Sequence, residues 1–436
     1  MAKKAVLIAA CVLGGCFNPQ SAEDGSTTSD AADVGTGDVG TGDVGTGDLQ
    51  PHDMSVADLQ PHDMPAVKPK VLDPSGIAIS TAANDQLGAG VAFNGTNFLV
   101  AWSDKRGGTT FDVYGSRVNK SGGVLDTSGI AIYTSTSDEK WATVGSDGTN
   151  YLVGWSDTFS LRGARLNPGG VVLDSSPPLA LWPYTGNPQY ALDLSFDGTN
   201  YLGVCMQKSG TGNTYDIYAR RITSGGAVLD ATGIAVTTVP GHQVSPKVAF
   251  DGTNHLVVWT DEAQSPNRNV YGARVTPSGT VLDTTAIPIS TAANDQAGSS
   301  VAFGSTNYLV VWTDKRGGTS YDIYGARVSK SGAVLDASGF VISNASGDQQ
   351  PTRVAFDGAN YFVVWGDNRS GTNLDIYGAR VSPNGAVLDT SGIAISTAAS
   401  DQTYPQLAFD GTNYLVVWDD KRNGSTFDIY GARVSP

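Results

Sequence analysis

An all-β ring of seven four-stranded sheets, a seven-bladed β-propeller, is the fold class that the sequence predicts, on three observations. A unit of 50 to 54 residues recurs seven times, anchored at Asn97, Asn150, Asn200, Asn254, Asn307, Asn360 and Asn413. Such a period marks one supersecondary unit used repeatedly. Each copy breaks at turn residues into four short apolar segments, with no helical periodicity anywhere over residues 71–436. The ends of the array are complementary: it opens at residues 71–80 with a fourth strand lacking its first three, and it ends at Val434-Ser435-Pro436 with three strands and no fourth.

The sixth copy illustrates the elements in order. Val354-Ala355-Phe356 runs into Asp357-Gly358, a dipeptide that favours the positive φ of tight hairpins, and the chain returns as Tyr361-Phe362-Val363-Val364-Trp365. That second segment is apolar without alternation, as expected of a strand covered on both faces. A third strand, Asp375-Ile376-Tyr377-Gly378-Ala379-Arg380-Val381, ends at the Pro- and Gly-bearing turn Ser382-Pro383-Asn384-Gly385. Ala386-Val387-Leu388 then passes Asp389-Thr390-Ser391-Gly392 into Ile393-Ala394-Ile395, the fourth. Four strands per repeat with both faces buried describes a propeller blade. Residues 71–80 are therefore expected to complete the blade formed by residues 406–436, closing the ring and removing exposed sheet edges. Six copies carry Trp five residues after the Asn: Trp102, Trp155, Trp259, Trp312, Trp365 and Trp418, with Cys205 in the third copy. A Trp buries roughly 150–250 Å², worth about 4–6 kcal/mol, so the column reads as inter-blade core, with a sugar-stacking ladder as the functional alternative.

Four copies share a polar phrase between second and third strands: Asp104 to Asp112, Asp314 to Asp322, Asp367 to Asp375 and Asp420 to Asp428. In its last form, A-F-D-G-T-N-Y-L-V-V-W-D-D-K-R-N-G-S-T-F-D-I-Y-G, the repeat resembles that of TolB-type propellers, where an Asp-Gly hairpin leads through an apolar strand to Ser-Asp-Arg, Gly and Asp-Ile-Tyr. It departs in lacking Ser-Pro before Asp-Gly and in inserting Lys105, Lys315 or Lys421 between Asp and Arg. The resemblance implies the fold over residues 71–436 and, with no counterpart of TolB's amino-terminal domain in the sequence, does not establish a Tol–Pal role. Two carboxylates eight residues apart suit Ca²⁺, but the intervening Arg supplies a cation already, so an Asp–Arg–Asp clasp is expected and no metal.

Residues 1–15 read as a leader. Lys3 and Lys4 precede a short apolar run, and Leu13-Gly14-Gly15-Cys16 resembles a bacterial lipobox, which implies cleavage before Cys16 and its acylation. Residues 16–70 are low-complexity, with Val-Gly-Thr-Gly-Asp three times and Asp-Leu-Gln-Pro-His-Asp-Met twice, ten acidic residues against Lys68 and Lys70. Such a segment cannot bury enough surface to fold and is expected to be a tether. The net charge of −15 argues against a nucleic-acid partner, which wants a basic stripe. The expected address is the bacterial envelope, lipid-anchored, at the outer membrane or cell surface, as a monomer.

Three more columns repeat. Arg117, Arg165, Arg221, Arg274, Arg327, Arg380 and Arg433 fill one; Asp73, Asp126, Asp174, Asp230, Asp283, Asp336 and Asp389 fill another. A cross-strand ion pair and an Asp that caps its own turn both fit, and the cap is the preferred expectation. Gln86, Gln189, Gln243, Gln296, Gln349 and Gln402, with Glu139 in the second copy, are expected to bond loop backbone, the alternative being a polar ring at the channel mouth.

Blades 2, 3 and 4 have diverged together, and the second-to-third and fourth-to-first loops mark the expected working face. Divergence brings Glu139, Lys140, Trp141, Trp182, Tyr184, Tyr190, His242 and Glu262 into loops or strand ends, a set suited to a glycan or an envelope protein. No nucleophile–His–acid set, metal spacing or phosphate loop is legible, so no catalytic residue and no cofactor are expected. The sequence is read as a non-catalytic binding scaffold, the alternative being a propeller glycosidase or polysaccharide lyase acting through the axial channel.

Overall fold

The computed structural model describes residues 68–436, except 175, 210–213 and 264–266. The expected leader, Cys16 and the expected tether up to residue 67 lie outside the described residues. Among those described, 28 strands form seven antiparallel four-stranded sheets, and no helix occurs. Blade 1 contains Gln86–Phe93, Asn97–Asp104, Asp112–Asn119 and Ile130–Tyr133, in that order from the axis outwards. The pattern repeats to blade 7, whose Gln402–Phe409, Tyr414–Asp420 and Asp428–Val434 are completed by Ile77–Ser80. There Ile77 pairs with Gly431 and Ala78 with Tyr430, the closure that the complementary ends predict. Each innermost strand touches those of both neighbouring blades, blade 7 touching blade 1, so the ring is complete.

The second strand of each blade is the most deeply buried, as its unalternating sequence requires. All six Trp of the column are fully buried between blades. The aromatic residue after the anchoring Asn ties the ring circumferentially: Tyr151 Oη donates to Asn97 O at 2.7 Å and Tyr308 Oη to Asn254 O at 2.8 Å, each reaching the preceding blade. The hairpins close by an Asx turn, Asp357 Oδ1 accepting from Ala359 N and Asn360 N at 2.7 Å, with Gly358 at φ +98°.

The Arg and Asp columns correct the preferred expectation. They form cross-strand ion pairs, Arg117 Nε and Nη2 each reaching the Asp126 carboxylate at 2.9 Å, and the same fork recurs to Arg433–Asp73 across the closure. The Asp also accepts the Arg backbone N–H, so the turn is fastened by the pair rather than by the Asp alone. Arg117 Nη1 further donates to Pro168 O of blade 2, and Arg433 Nη1 to Lys120 O of blade 1. The same reach to the next blade recurs at Arg165, Arg274 and Arg327.

The loop clasp is also narrower than expected. Asp104 Oδ2 accepts from Trp102 Nε1 and from Arg106 Nη2, while Arg106 lies 4.0 Å over the Tyr114 ring and donates to Ser128 O. The second carboxylate, Asp112, instead accepts from Ser135 N. The unit is therefore Trp–Asp–Arg–Tyr, repeated in blades 5, 6 and 7.

Candidate functional site: the axial channel and the aromatic face

Seven innermost strands surround an axial cavity of about 210 Å³. Each strand bulges two residues after its first, where Leu87 pairs with Ser103 but Gly90 pairs with Ala101. The bulge places Gly88, Trp141, Ala191, Ser245, Gly298 and Tyr404 in the left-handed region, Trp141 at φ 62° and Tyr404 at φ 53°. Bulky residues there cost of order 1–3 kcal/mol and persist where the surroundings hold them. The bulge N–H groups bond the preceding blade: Trp141 N donates to Ser103 Oγ, Gly298 N to Thr260 Oγ1, and Gly88 N to both oxygens of Asp419 at 3.0 Å. Asp419 is the one carboxylate in a position held elsewhere by Ser103, Ser156, Met206, Thr260, Thr313 and Gly366. Its burial pushes the carboxyl group up to about 7, against the lowering effect of those backbone donors. The Trp141 ring comes beside Gly88, and Asp419 acts electrostatically on Tyr404, so two aromatic residues flank the blade 1 bulge.

Below the bulges, the cavity is lined by Gly90, Thr143, Asp193, Lys247, Ser300, Arg353 and Gln406, together with apolar neighbours. Lys247 Nζ lies 3.3 Å from Asp193 Oδ1, and Val248 N donates to Asp193 Oδ2 at 2.9 Å. Arg353 Nε donates to Gln406 Oε1 at 3.0 Å and Nη1 to Thr352 O at 2.8 Å. Burial lowers the proton affinity of both Lys247 and Arg353, with Asp193 opposing it.

The residues singled out in the sequence separate into three groups. Tyr184, Tyr190 and His242 fall on one face, with Tyr215 and Phe159, neither of which was singled out. Phe159 and Tyr184 rings lie 5.6 Å apart, Tyr190 and Tyr215 6.1 Å, and Tyr215 and His242 5.8 Å. Tyr184 is 53% exposed and Phe159 37%. Glu262 N donates to His242 O at the end of this row. Trp141 sits apart, at the channel, and Lys140 is engaged with Asp138 at 2.9 Å and with the Phe111 ring.

Two of the residues are not on the surface at all. Trp182, expected in a loop or strand end available to ligand, is buried from the outer strand Leu179–Trp182 against Gly203 and Cys205 of blade 3, where it supplies the indole that Cys205 lacks. Glu139 is fully buried and accepts from Ser135 Oγ at 2.7 Å. Burial, with Asp157, Asp112 and Asp138 nearby, raises its carboxyl group to about 7. The Gln column bonds loop backbone as expected, Gln296 Nε2 donating to Ala293 O and Asn294 O, so it forms no ring at the mouth. Tyr215 carried no signal in the repeat, because its place at the start of a third strand is Phe or Tyr only in some blades.

No family model matches the chain, and no curated protein matches it. Solved structures do. A protein of unknown function from Dyadobacter fermentans DSM 18053 matches at 13% identity and TM-score 0.52, covering 84% of this chain and 99% of that one, a likeness of fold alone. A TolB-like protein from Agrobacterium tumefaciens matches at 11% identity and TM-score 0.37 over 60% of this chain and 82% of that one. A family 43 endo-arabinanase from Bacillus licheniformis matches at 12% identity and TM-score 0.36 over 56% and 93%, and further glycoside hydrolases of families 43 and 62 match similarly. Likeness at this level brings none of their activities to this chain. The expectation that the chain is not an enzyme does not stand: it took an illegible catalytic set for a missing one, which excludes nothing.

Proposed function

We propose that the propeller recognises a glycan on the face carrying the second-to-third and fourth-to-first loops. The aromatic row Phe159–Tyr184 and Tyr190–Tyr215–His242 supports this reading, because rings spaced 5.6 to 6.1 Å apart offer apolar faces with polar tips, the composition of a binding surface for hydroxylated rings. Titration of neutral oligosaccharides against wild type and against Tyr190→Ala and Tyr215→Ala tests it. Binding weakened about tenfold by either substitution is expected, and binding indifferent to both abandons the row.

A second reading is cleavage of the bound glycan, with Asp419 as the candidate general acid: burial at the blade 1 bulge raises its carboxyl group to about 7, the range such an acid uses. New reducing ends released by wild type and not by Asp419→Asn would establish it. We propose further that Cys16 is acylated and holds the propeller in the bacterial envelope through the acidic tether, either presenting the face to a glycan or docking an envelope protein. Incorporation of labelled palmitate, absent from Cys16→Ser, is the expected result.

A further inference from the structure

Four residues after the buried Gln or Glu that begins each innermost strand, the ring reads Gly90, Thr143, Asp193, Lys247, Ser300, Arg353, Gln406. Seven blades supply seven residue types. The structural columns are uniform by contrast, with Arg in all seven, Asp in all seven and Gln in six. A role set by packing recurs wherever the packing recurs. This column, in which no residue type recurs, is the one that lines the cavity.

We propose that this ring is a binding site for one carboxylate group, held in the axial cavity by Lys247 and Arg353. The site is separate from the aromatic row and does not rest on it.

Charge selects the ligand class. Two cations and one carboxylate line the cavity, and a monoanion balances them where a dianion would leave one negative charge unpaired in a confined space. Asp193 is committed, to Lys247 Nζ on one oxygen and Val248 N on the other. Arg353 differs from nearly every other arginine. Among the described residues, only Arg353 and Arg220 lack an acidic partner within ion-pair distance, and Arg220 rests on Trp182 at 5.2 Å and donates to Leu181 O and Ala231 O. Arg353 has Nε and Nη1 satisfied by Gln406 and Thr352, while Nη2 has no protein partner among the described residues. A guanidinium lining a cavity without its counter-charge is costly, and its planar fork matches a carboxylate. The depressed proton affinities of Lys247 and Arg353 are the same deficit seen another way.

Size narrows the class. About 210 Å³ is below the roughly 300–1,000 Å³ typical of drug-sized ligands. One small organic acid or one acidic sugar ring fits that description, and a polyanionic chain does not.

Calorimetric titration of the full chain near neutral pH with sodium glucuronate, its uncharged methyl ester, sodium acetate and sodium phosphate tests the site. Glucuronate is expected to bind at least about tenfold more tightly than the ester. Acetate binding comparably would identify a free small acid as sufficient, and glucuronate alone would identify a uronate. Arg353→Gln is expected to lose at least about tenfold and Arg353→Lys to retain part of the affinity. Asp193→Asn should turn preference towards phosphate. Ester and acid binding equally, no carboxylate binding at millimolar concentration, or Arg353→Gln binding as wild type overturns the proposal. If Arg353→Gln does not fold, the acid and ester on wild type still decide.

Discussion

Blades 1, 5, 6 and 7 and blades 2, 3 and 4 solve the same packing problem with different residues. In the regular sector the buried Trp donates to an Asp that also holds an Arg, and the Arg lies on a Tyr, so each blade spends its polar side chains on its own loop. In the diverged sector that unit is gone. Blade 2 pairs Asp157 with Arg162 at 3.5 Å and stacks Trp155 on Tyr133. Blade 3 takes its indole from Trp182 of its neighbour and covers it with Arg220. With no loop clasp to build, this sector presents Tyr184, Tyr190, Tyr215 and His242 on the face. The contrast teaches that divergence here exchanged self-stabilising loops for exposed aromatic surface.

The largest expected difference lies in the core. Trp312→Ala should destabilise by about 3–5 kcal/mol, whereas Cys205→Ala, in the same column but packed by Trp182, should cost about 1 kcal/mol. Urea unfolding of both reads this directly, and equal costs would mean that Trp182 does not replace the missing indole. Next is the clasp. Asp314→Ala removes a fully buried carboxylate that serves both Trp312 and Arg316 and should cost about 3 kcal/mol; Asp157→Ala, part-exposed and loosely paired, should cost under about 1 kcal/mol.

A third prediction concerns pH. Glu139 holds its proton more tightly in the fold than unfolded, its folded value being about 7. The unfolded chain therefore ionises first as pH rises, and the native state loses relative stability between about pH 4.5 and 7. Glu139→Gln, which installs the residue that the six other blades carry, should remove that loss and be more stable than wild type at pH 8 by about 2 kcal/mol, with a smaller difference at pH 5. The Arg–Asp forks run oppositely. Asp126, Asp174, Asp230, Asp283, Asp336 and Asp73 are held below their ordinary value, through Arg bonds that outweigh burial, so their contribution is present at neutral pH and disappears as pH falls below about 4. The smallest effect is expected at the forks taken singly: Arg433→Gln and Arg327→Gln should each cost about 1 kcal/mol, and a much larger loss at Arg433 would single out the closure.

The ring was legible because its evidence is arithmetic. A fourth strand at residues 71–80 and three strands ending at Val434 must belong to one sheet, and they do. Deeply buried columns were legible for the same reason, since Trp at a fixed offset from Asn has one explanation. The Arg and Asp columns were read correctly as structural and wrongly as to partner, because a nine-residue separation in sequence does not show that the fork also reaches the next blade's turn. The left-handed bulge was illegible: Gly88 and Gly298 hint at it, but Trp141, Ala191, Ser245 and Tyr404 in the same place conceal it. Trp182 does stand at a strand end, and its burial was illegible because it comes from the neighbouring sheet set against it. The axial column was missed for the opposite reason, as attention to what repeats passes over the position where nothing does.

Sealing the propeller joins residues from opposite ends of the repeat array: Lys70 N donates to Ser435 Oγ at 3.0 Å, Ser435 N to Lys70 O, and Val71 bridges Val434. During synthesis Ile77–Ser80 emerges among the earliest of the folded residues and its partner Asp428–Val434 emerges last. The nascent chain therefore carries an unmated strand until the seventh blade has been made, and loss of residues 427–436 would deprive Ile77–Ser80 of its seam.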